Sequence, residues 1–162
     1  MKKISFLAAL AVLSLGFLTS CEKGGKATDD SVIKYLPGTW KVTQEVYDDG
    51  EKVDLRDEIL FTFGKEGEDV PEFGGSNSSI AGKLSVKYNG QVVVSRGRWN
   101  IEYDAEDPGV FMYLKDDNGH LISFGGNGSE YFYITSISGS SMTILDADAE
   151  EGSQEGFILK KQ

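Results

Sequence analysis

The sequence predicts an all-β domain of eight or nine antiparallel strands that closes into an up-and-down barrel. Three observations lead to this prediction. Apolar and polar residues alternate along most of the chain after Thr39, which is typical of half-buried strands. Turn residues separate successive strands at short intervals, and no helical pattern is long enough to cover an open sheet. A meander of this kind buries one face and removes its exposed edges by closing on itself.

A short helical turn over 32–36 opens the predicted domain and ends at Pro37 and Gly38. The first strand follows, and alternation assigns one face of it to Trp40, Val42, Gln44 and Val46. Residues 59–63 alternate again and form the second predicted strand. A long loop rich in Gly, Ser and Glu then leads to the next strand, over 84–88.

Three hairpins and a closing strand complete the predicted meander. Asn89-Gly90 suits a type I′ turn into a long return strand, in which Gly97 marks a bulge. A second hairpin is predicted to pair 110–115 with 120–124. A third pairs 130–138 with 141–146, and a last strand over 157–160 is expected to meet the first.

The N-terminal segment is predicted to be an export signal. Lys2 and Lys3 precede an apolar run over 4–18, which is too short for a good membrane-spanning helix. The run Leu18-Thr19-Ser20-Cys21 resembles the lipobox of bacterial lipoproteins, which implies cleavage before Cys21 and lipidation of that cysteine, with palmitate among its acyl chains. A simple secretory signal with an incidental cysteine is the alternative.

This resemblance implies a domain organisation and a location. Residues 1–20 would be the signal peptide, 21–31 a lipidated cysteine with a flexible tether, and 32–162 the barrel domain. Several acyl chains on Cys21 would be a sufficient membrane anchor. We therefore expect an outer-membrane lipoprotein of a Gram-negative cell envelope, on either its periplasmic or its surface face.

Charge and cysteine content exclude several classes of function. The chain carries a formal charge of −10, and removal of Lys2 and Lys3 with the signal would make it −12. Such a surface repels nucleic acids and anionic lipid headgroups. Cys21 is the only cysteine of the sequence, so once it is lipidated no thiol remains for a disulfide, a zinc site or a nucleophile.

The start of the first strand resembles a known family. Leu36-Pro37-Gly38-Thr39-Trp40 is similar to the Gly-x-Trp signature of lipocalins, which also follows a short helical turn. The resemblance implies a lipocalin-like barrel in which Gly38 and Trp40 form the barrel-closing motif. In that family an arginine near the end of the last strand meets the tryptophan. Here that strand ends in Lys160 and Lys161, so a lysine would have to supply the cation.

Aromatic residues at alternate positions are the candidate ligand-lining side chains. They are Phe61, Phe63, Trp99, Tyr103, Phe111, Tyr113, Phe124, Tyr131 and Tyr133. Their bulk could fill an eight-stranded barrel completely or leave an apolar pocket with tyrosine hydroxyls. Tyr131, Phe132 and Tyr133 are consecutive, so one aromatic face of that strand must lie outward or under a loop.

The sequence lacks the motifs of catalytic and metal sites. His120 is the only histidine and is expected to lie exposed in a turn. The acidic loop from Asp146 has the wrong spacing for an EF-hand, although weak calcium binding by Asp146, Asp148 and Glu150 is an alternative to a solvated loop. We therefore expect no enzyme, no cofactor and no metal.

Two functions remain as hypotheses. The first is the binding or carriage of a small apolar or amphipathic molecule by a monomeric barrel. The second is an interaction module whose packed barrel binds an envelope protein or a surface glycan through its loops.

Overall fold

The computed structural model describes residues 25–72, 80–103, 110–123, 130–147 and 155–162. It confirms the predicted fold class, because eight antiparallel strands form a closed barrel to which two shorter strands are added. The elements are β1 Gly25–Lys26, α1 Asp29–Tyr35, β2 Gly38–Val46, β3 Lys52–Asp54, β4 Ile59–Glu66, β5 Ile80–Tyr88, β6 Gln91–Tyr103, β7 Val110–Lys115, β8 Tyr131–Ile137, β9 Ser141–Asp146 and β10 Gly156–Lys161.

The barrel closes as the sequence predicts, by pairing of the last strand with the first long one. Around the barrel the order is β2, β4, β5, β6, β7, β8, β9 and β10, and β10 pairs again with β2. Leu159 lies opposite Val42 and Lys161 lies opposite Trp40 in this closing pair. The short strand β3 pairs with the C-terminal part of β2, and β1 pairs with β8.

Helix α1 packs against one end of the barrel, which we call the helix end. Thr28 caps the helix, since its hydroxyl accepts the Ser31 N–H and the Ser31 hydroxyl accepts the Thr28 N–H. Val32 and Leu36 are fully buried in the same apolar cluster as Trp40. The antiparallel order places the start of β2 and the C-terminus of β8 at this end. The far end holds the C-terminus of β2 and the start of β10.

The folded region includes residues that the sequence assigns to the tether. Gly25 and Lys26 pair with Ile137 and Ser136 of β8, and Ala27 is buried. The part of the predicted tether from Gly25 onward therefore packs on the barrel. Cys21 and the predicted signal peptide lie outside the described residues.

The first predicted hairpin is confirmed in detail. Asn89 and Gly90 both have positive φ, at 47° and 81°, as a type I′ turn requires. A bulge lies beside Gly97, because Leu84 pairs with Gly97 whereas Val86 pairs with Val94. Ser95 and Arg96 lie opposite the single residue Ser85, and both donate their N–H groups to the Asp117 carboxylate, at 2.8 Å each.

The second predicted hairpin forms only next to its turn. Leu121 makes an antiparallel bridge with Lys115, and the Ile122 N–H donates to the Leu114 carbonyl at 2.9 Å. The rest of β7, Val110 to Tyr113, pairs with β8 instead of with the 120–124 segment. The Asp116 carboxylate accepts the N–H groups of Asn118 and His120, which closes a tight turn directly after β7. Pairing with β8 also buries Phe132 and Ile134, which the shorter segment cannot replace.

Candidate functional site: an apolar cavity in the barrel

The barrel contains a cavity of about 190 Å³. Apolar side chains from five of the barrel strands and the β3–β4 connection form nearly all of the described part of its wall. The described lining residues are Val42, Glu45, Leu55, Ile59, Phe61, Phe63, Met112, Leu114, Ile144, Phe157 and Leu159. The sequence left open whether the aromatic side chains fill the barrel completely. The structure shows that they leave an apolar space.

Strand alternation explains why these residues face one another. Phe61 and Phe63 lie two residues apart on β4, with their rings stacked at 6.0 Å between centroids. Met112 and Leu114 have the same spacing on β7. All four side chains are buried. The wall is therefore a continuation of the barrel core in which a space remains.

One charged residue is among the described lining residues of the cavity, and a bulge places it there. Leu159 pairs with Val42, but the next residue of β10, Ile158, pairs with Gln44, so Thr43 is an extra residue of β2. Phe157 then pairs with Glu45, and both side chains line the cavity. The alternation predicted for β2 is wrong at Gln44, because the bulge turns Glu45 inward in its place, whereas Val46 is buried as predicted.

The side chain of Glu45 has one hydrogen-bond partner in the described part of the chain. The Tyr47 hydroxyl donates to Glu45 Oε2 at 3.1 Å. This hydrogen bond, together with the negative charge of Glu45, raises the pKa of Tyr47 above its ordinary value. Two ion pairs join described residues, Lys41 with Glu58 and His120 with Asp116, and neither involves Glu45.

Only two of the nine aromatic candidates line the cavity in the described structure. These are Phe61 and Phe63. Trp99 is fully buried but lies elsewhere in the core, with its indole across Gly82 and its Nε1 donating to the Gly64 carbonyl at 3.1 Å. The side chain of Tyr103, and Phe124 as a whole, lie outside what the structure describes.

Four further candidates point away from the cavity. Phe111 and Tyr113 alternate with the lining residues Met112 and Leu114, and they pair with Tyr133 and Tyr131 of β8. The ring centroids are 4.0 Å apart in the Phe111–Tyr133 pair and 5.7 Å apart in the Tyr113–Tyr131 pair. Their assignment to the ligand side is therefore corrected. Both faces of β7 are apolar, so the period of the pattern could not show which face is internal.

The barrel-closing motif forms a layer at the helix end. Trp40 is fully buried, and its Nε1 donates to the Leu36 carbonyl at 2.7 Å. Lys161 Nζ lies 5.2 Å from the Trp40 ring centroid and donates to the Tyr35 carbonyl at 2.7 Å. The expectation that a lysine supplies the cation is confirmed. Burial lowers the pKa of Lys161 below its ordinary value.

Gly38 is needed at this layer for two reasons. Its φ is +128°, which side chains rarely tolerate. A Cβ at this position would also lie 2.8 Å from Lys161 Cε. Gly38 therefore leaves room for the lysine that covers Trp40.

The remaining candidate sites give no catalytic or metal-binding arrangement in the part of the chain that is described. The side chain of His120 is 78% exposed, as predicted for a turn residue. No three His, Cys, Asp or Glu residues come together as a metal site within the described ranges. Asp148 and Glu150 of the acidic loop lie outside them. Of the described helices, none is long and apolar enough to cross a membrane.

No family model, no curated protein and no solved structure matches the chain. The closed eight-stranded antiparallel barrel is compatible with a lipocalin-like fold.

Proposed function

We propose that this protein is a lipid-anchored, lipocalin-like envelope protein that binds a small, mainly apolar molecule inside its barrel without converting it. The observation that carries the proposal is the cavity of about 190 Å³ with an almost entirely apolar wall. Removal of apolar ligand surface from water would drive binding, at roughly 25 cal/mol per Å².

The size of the cavity limits the ligand. An engineered apolar cavity of roughly 150 Å³ in another protein binds benzene, whereas pockets for drug-sized molecules measure about 300–1,000 Å³. The cavity of about 190 Å³ therefore suits one aromatic ring or a short hydrocarbon segment. A bulky polycyclic ligand would require the barrel to widen.

Toluene is a suitable probe for this proposal, with binding measured by calorimetry and by the shift in Tm. Val42 is buried and lines the cavity, so Val42→Phe places a ring in the space that toluene would occupy. Val93 is 58% exposed on β6, so Val93→Phe is the same substitution away from the cavity. We expect toluene to bind the wild type and Val93→Phe but not Val42→Phe. Equal binding to all three would contradict the cavity as the site.

Membrane anchoring is tested separately. With Cys21 replaced by Ser, we expect a folded barrel that is released from the membrane fraction, because the acyl chains would be its anchor. Fractionation of cells followed by immunoblotting measures the release. Retention of Cys21→Ser in the membrane would contradict the lipid anchor.

The second candidate function, a docking module, is favoured by one observation. Tyr88, Val92 and Val93 are 43%, 57% and 58% exposed around the β5–β6 hairpin, at the far end. An exposed apolar hairpin of this kind is suited to contact with an envelope protein. If Val92→Ser with Val93→Ser abolishes function in cells while toluene binding persists, docking becomes the leading candidate.

A further inference from the structure

Glu45 distinguishes this cavity from a purely apolar one. It is the only charged side chain among the described lining residues. Glu45 is half-buried, so its carboxylate keeps part of its contact with water while the stem of the side chain borders the apolar wall. The single described hydrogen bond, from Tyr47, comes from a side chain that is itself 43% exposed. The core gains no packing from this carboxylate that an apolar residue would not also give.

The backbone holds Glu45 in this inward position. Thr43, the extra residue of the bulge, donates its hydroxyl to the Ile158 carbonyl at 3.0 Å. Gln44 is turned outward, where its Nε2 donates to Asp54 at 2.8 Å. Because these two contacts fix the residues that precede Glu45, its direction is a property of the folded strand pair.

The surroundings of Glu45 favour a positive partner. Its cross-strand neighbour Phe157 also lines the cavity, and directly opposed side chains have Cβ atoms about 4.5–5.5 Å apart. A cation held by the carboxylate would therefore be within reach of an aromatic ring, which attracts cations through its quadrupole. The net charge of −10 adds a long-range attraction for cations and repels anions.

We propose that the molecule bound in the cavity is a small apolar amine, whose ammonium group pairs with Glu45 while its apolar body lies against Phe61 and Phe63. This inference rests on the proposed function and names the ligand class of the same cavity. The protonated amine would donate to the carboxylate and place its hydrocarbon in the apolar space. A carboxylic acid of the same shape would meet the charge of Glu45 with its own.

Three probes of similar shape test the proposal at pH 7: benzylamine, toluene and benzoate. Calorimetry measures the affinity of the full-length protein for each. We expect benzylamine to bind about tenfold or more tightly than toluene, because a hydrogen bond to a charged group contributes about 1.5–3 kcal/mol. We expect benzoate to bind most weakly. The inference is overturned if benzylamine binds no more tightly than toluene.

Two variants test whether the preference for benzylamine over toluene depends on Glu45. Glu45→Gln retains the shape of the side chain and removes its charge, so benzylamine should lose about tenfold in affinity while toluene is unaffected. Glu51→Gln makes the same change at an exposed position outside the described cavity wall and should leave both affinities unchanged. Equal loss of benzylamine affinity in both variants would show a general charge effect and overturn the assignment to Glu45.

A third variant keeps Glu45, so its result does not depend on whether Glu45→Gln folds correctly. Tyr47→Phe removes the hydroxyl that competes for Glu45 Oε2, so benzylamine should bind as tightly as in the wild type or more tightly. Weaker binding of benzylamine to Tyr47→Phe would contradict the proposed pairing. If Val42→Phe abolishes toluene binding but the wild type does not prefer benzylamine over toluene, the proposed function stands and the inference of an amine ligand is refuted. Failure of all three probes to bind would refute both.

Discussion

Trp40→Phe is the substitution whose cost the structure specifies best. Trp40 is fully buried, and its Nε1 donates to the carbonyl of Leu36, which is also fully buried. Phenylalanine cannot donate this hydrogen bond, and an unsatisfied buried acceptor costs about 1–3 kcal/mol. Complete truncation of a buried Trp costs about 3–5 kcal/mol, so the smaller ring should add about 1–2 kcal/mol. We expect a total loss of about 2–5 kcal/mol in the free energy of unfolding.

Trp99→Phe is the matched control. Trp99 is also fully buried, but its Nε1 donates to Gly64, which is half-buried. Water can replace the lost donor more easily there, so Trp99→Phe should cost about 1 kcal/mol less than Trp40→Phe. The chain has two tryptophans, and in each variant the other reports unfolding by fluorescence.

Urea unfolding at constant m-value gives the comparison, and the Tm of Trp40→Phe should fall by roughly 10 °C. A loss below about 1 kcal/mol for Trp40→Phe would refute the reasoning, since it would mean that neither the hydrogen bond nor the packing matters. A cost for Trp99→Phe equal to or above that for Trp40→Phe would refute the argument from the buried Leu36 carbonyl.

Three further predictions concern backbone strain and titration. Gly38→Ala should destabilise more than Gly90→Ala in thermal unfolding, because both have positive φ but only a Cβ at Gly38 meets Lys161; equal costs would contradict this. The backbone N–H of Arg96 and the Ser95 hydroxyl lower the pKa of Asp117, so its charge stabilises the fold above the unfolded pKa of about 3.9 and this contribution is lost as the pH falls through the folded value. Unfolding curves of the wild type and Asp117→Asn should therefore converge in acid, and a pH-independent difference would exclude this linkage. Burial lowers the pKa of Lys161 in the native state, so Lys161 loses its proton at a lower pH in the native than in the unfolded state. The wild type should therefore gain stability relative to Lys161→Met as the pH rises towards 10.5. A stability difference between the two that stays constant from pH 8 upward would contradict this prediction.

The overall fold could be predicted because it depends on local signals. Alternation gives the strands, and Asn89-Gly90 gives a turn whose positive φ values few other residue pairs adopt. Closure of the sheet into a barrel could be predicted because no helical pattern in the sequence is long enough to cover an open sheet. The hairpin predicted for 120–124 forms next to its turn of Asp117, Asn118 and Gly119 but does not extend along β7. What decided the pairing was the burial available from the more distant β8.

The site was harder to predict because it depends on register. Thr43 carries no Gly or Pro signal, and the bulge exists only through pairing with Ile158, far along the chain. Since an extra residue shifts the register of the side chains that follow it, Glu45 could not be assigned inward from the pattern. For a related reason the sequence did not show which face of β7 is internal, because apolar residues occur on both of its faces.

The position of β1 determines how a lipid on Cys21 would orient the molecule. Gly25 lies beside Ile137 at the helix end, and only four residues later than Cys21 in the sequence. A chain of that length spans at most about 14 Å, so the acylated cysteine would hold the Trp40 layer next to the bilayer. The end of the barrel that carries Glu45 would then point into the aqueous space, and molecules would be exchanged with water instead of with the lipid.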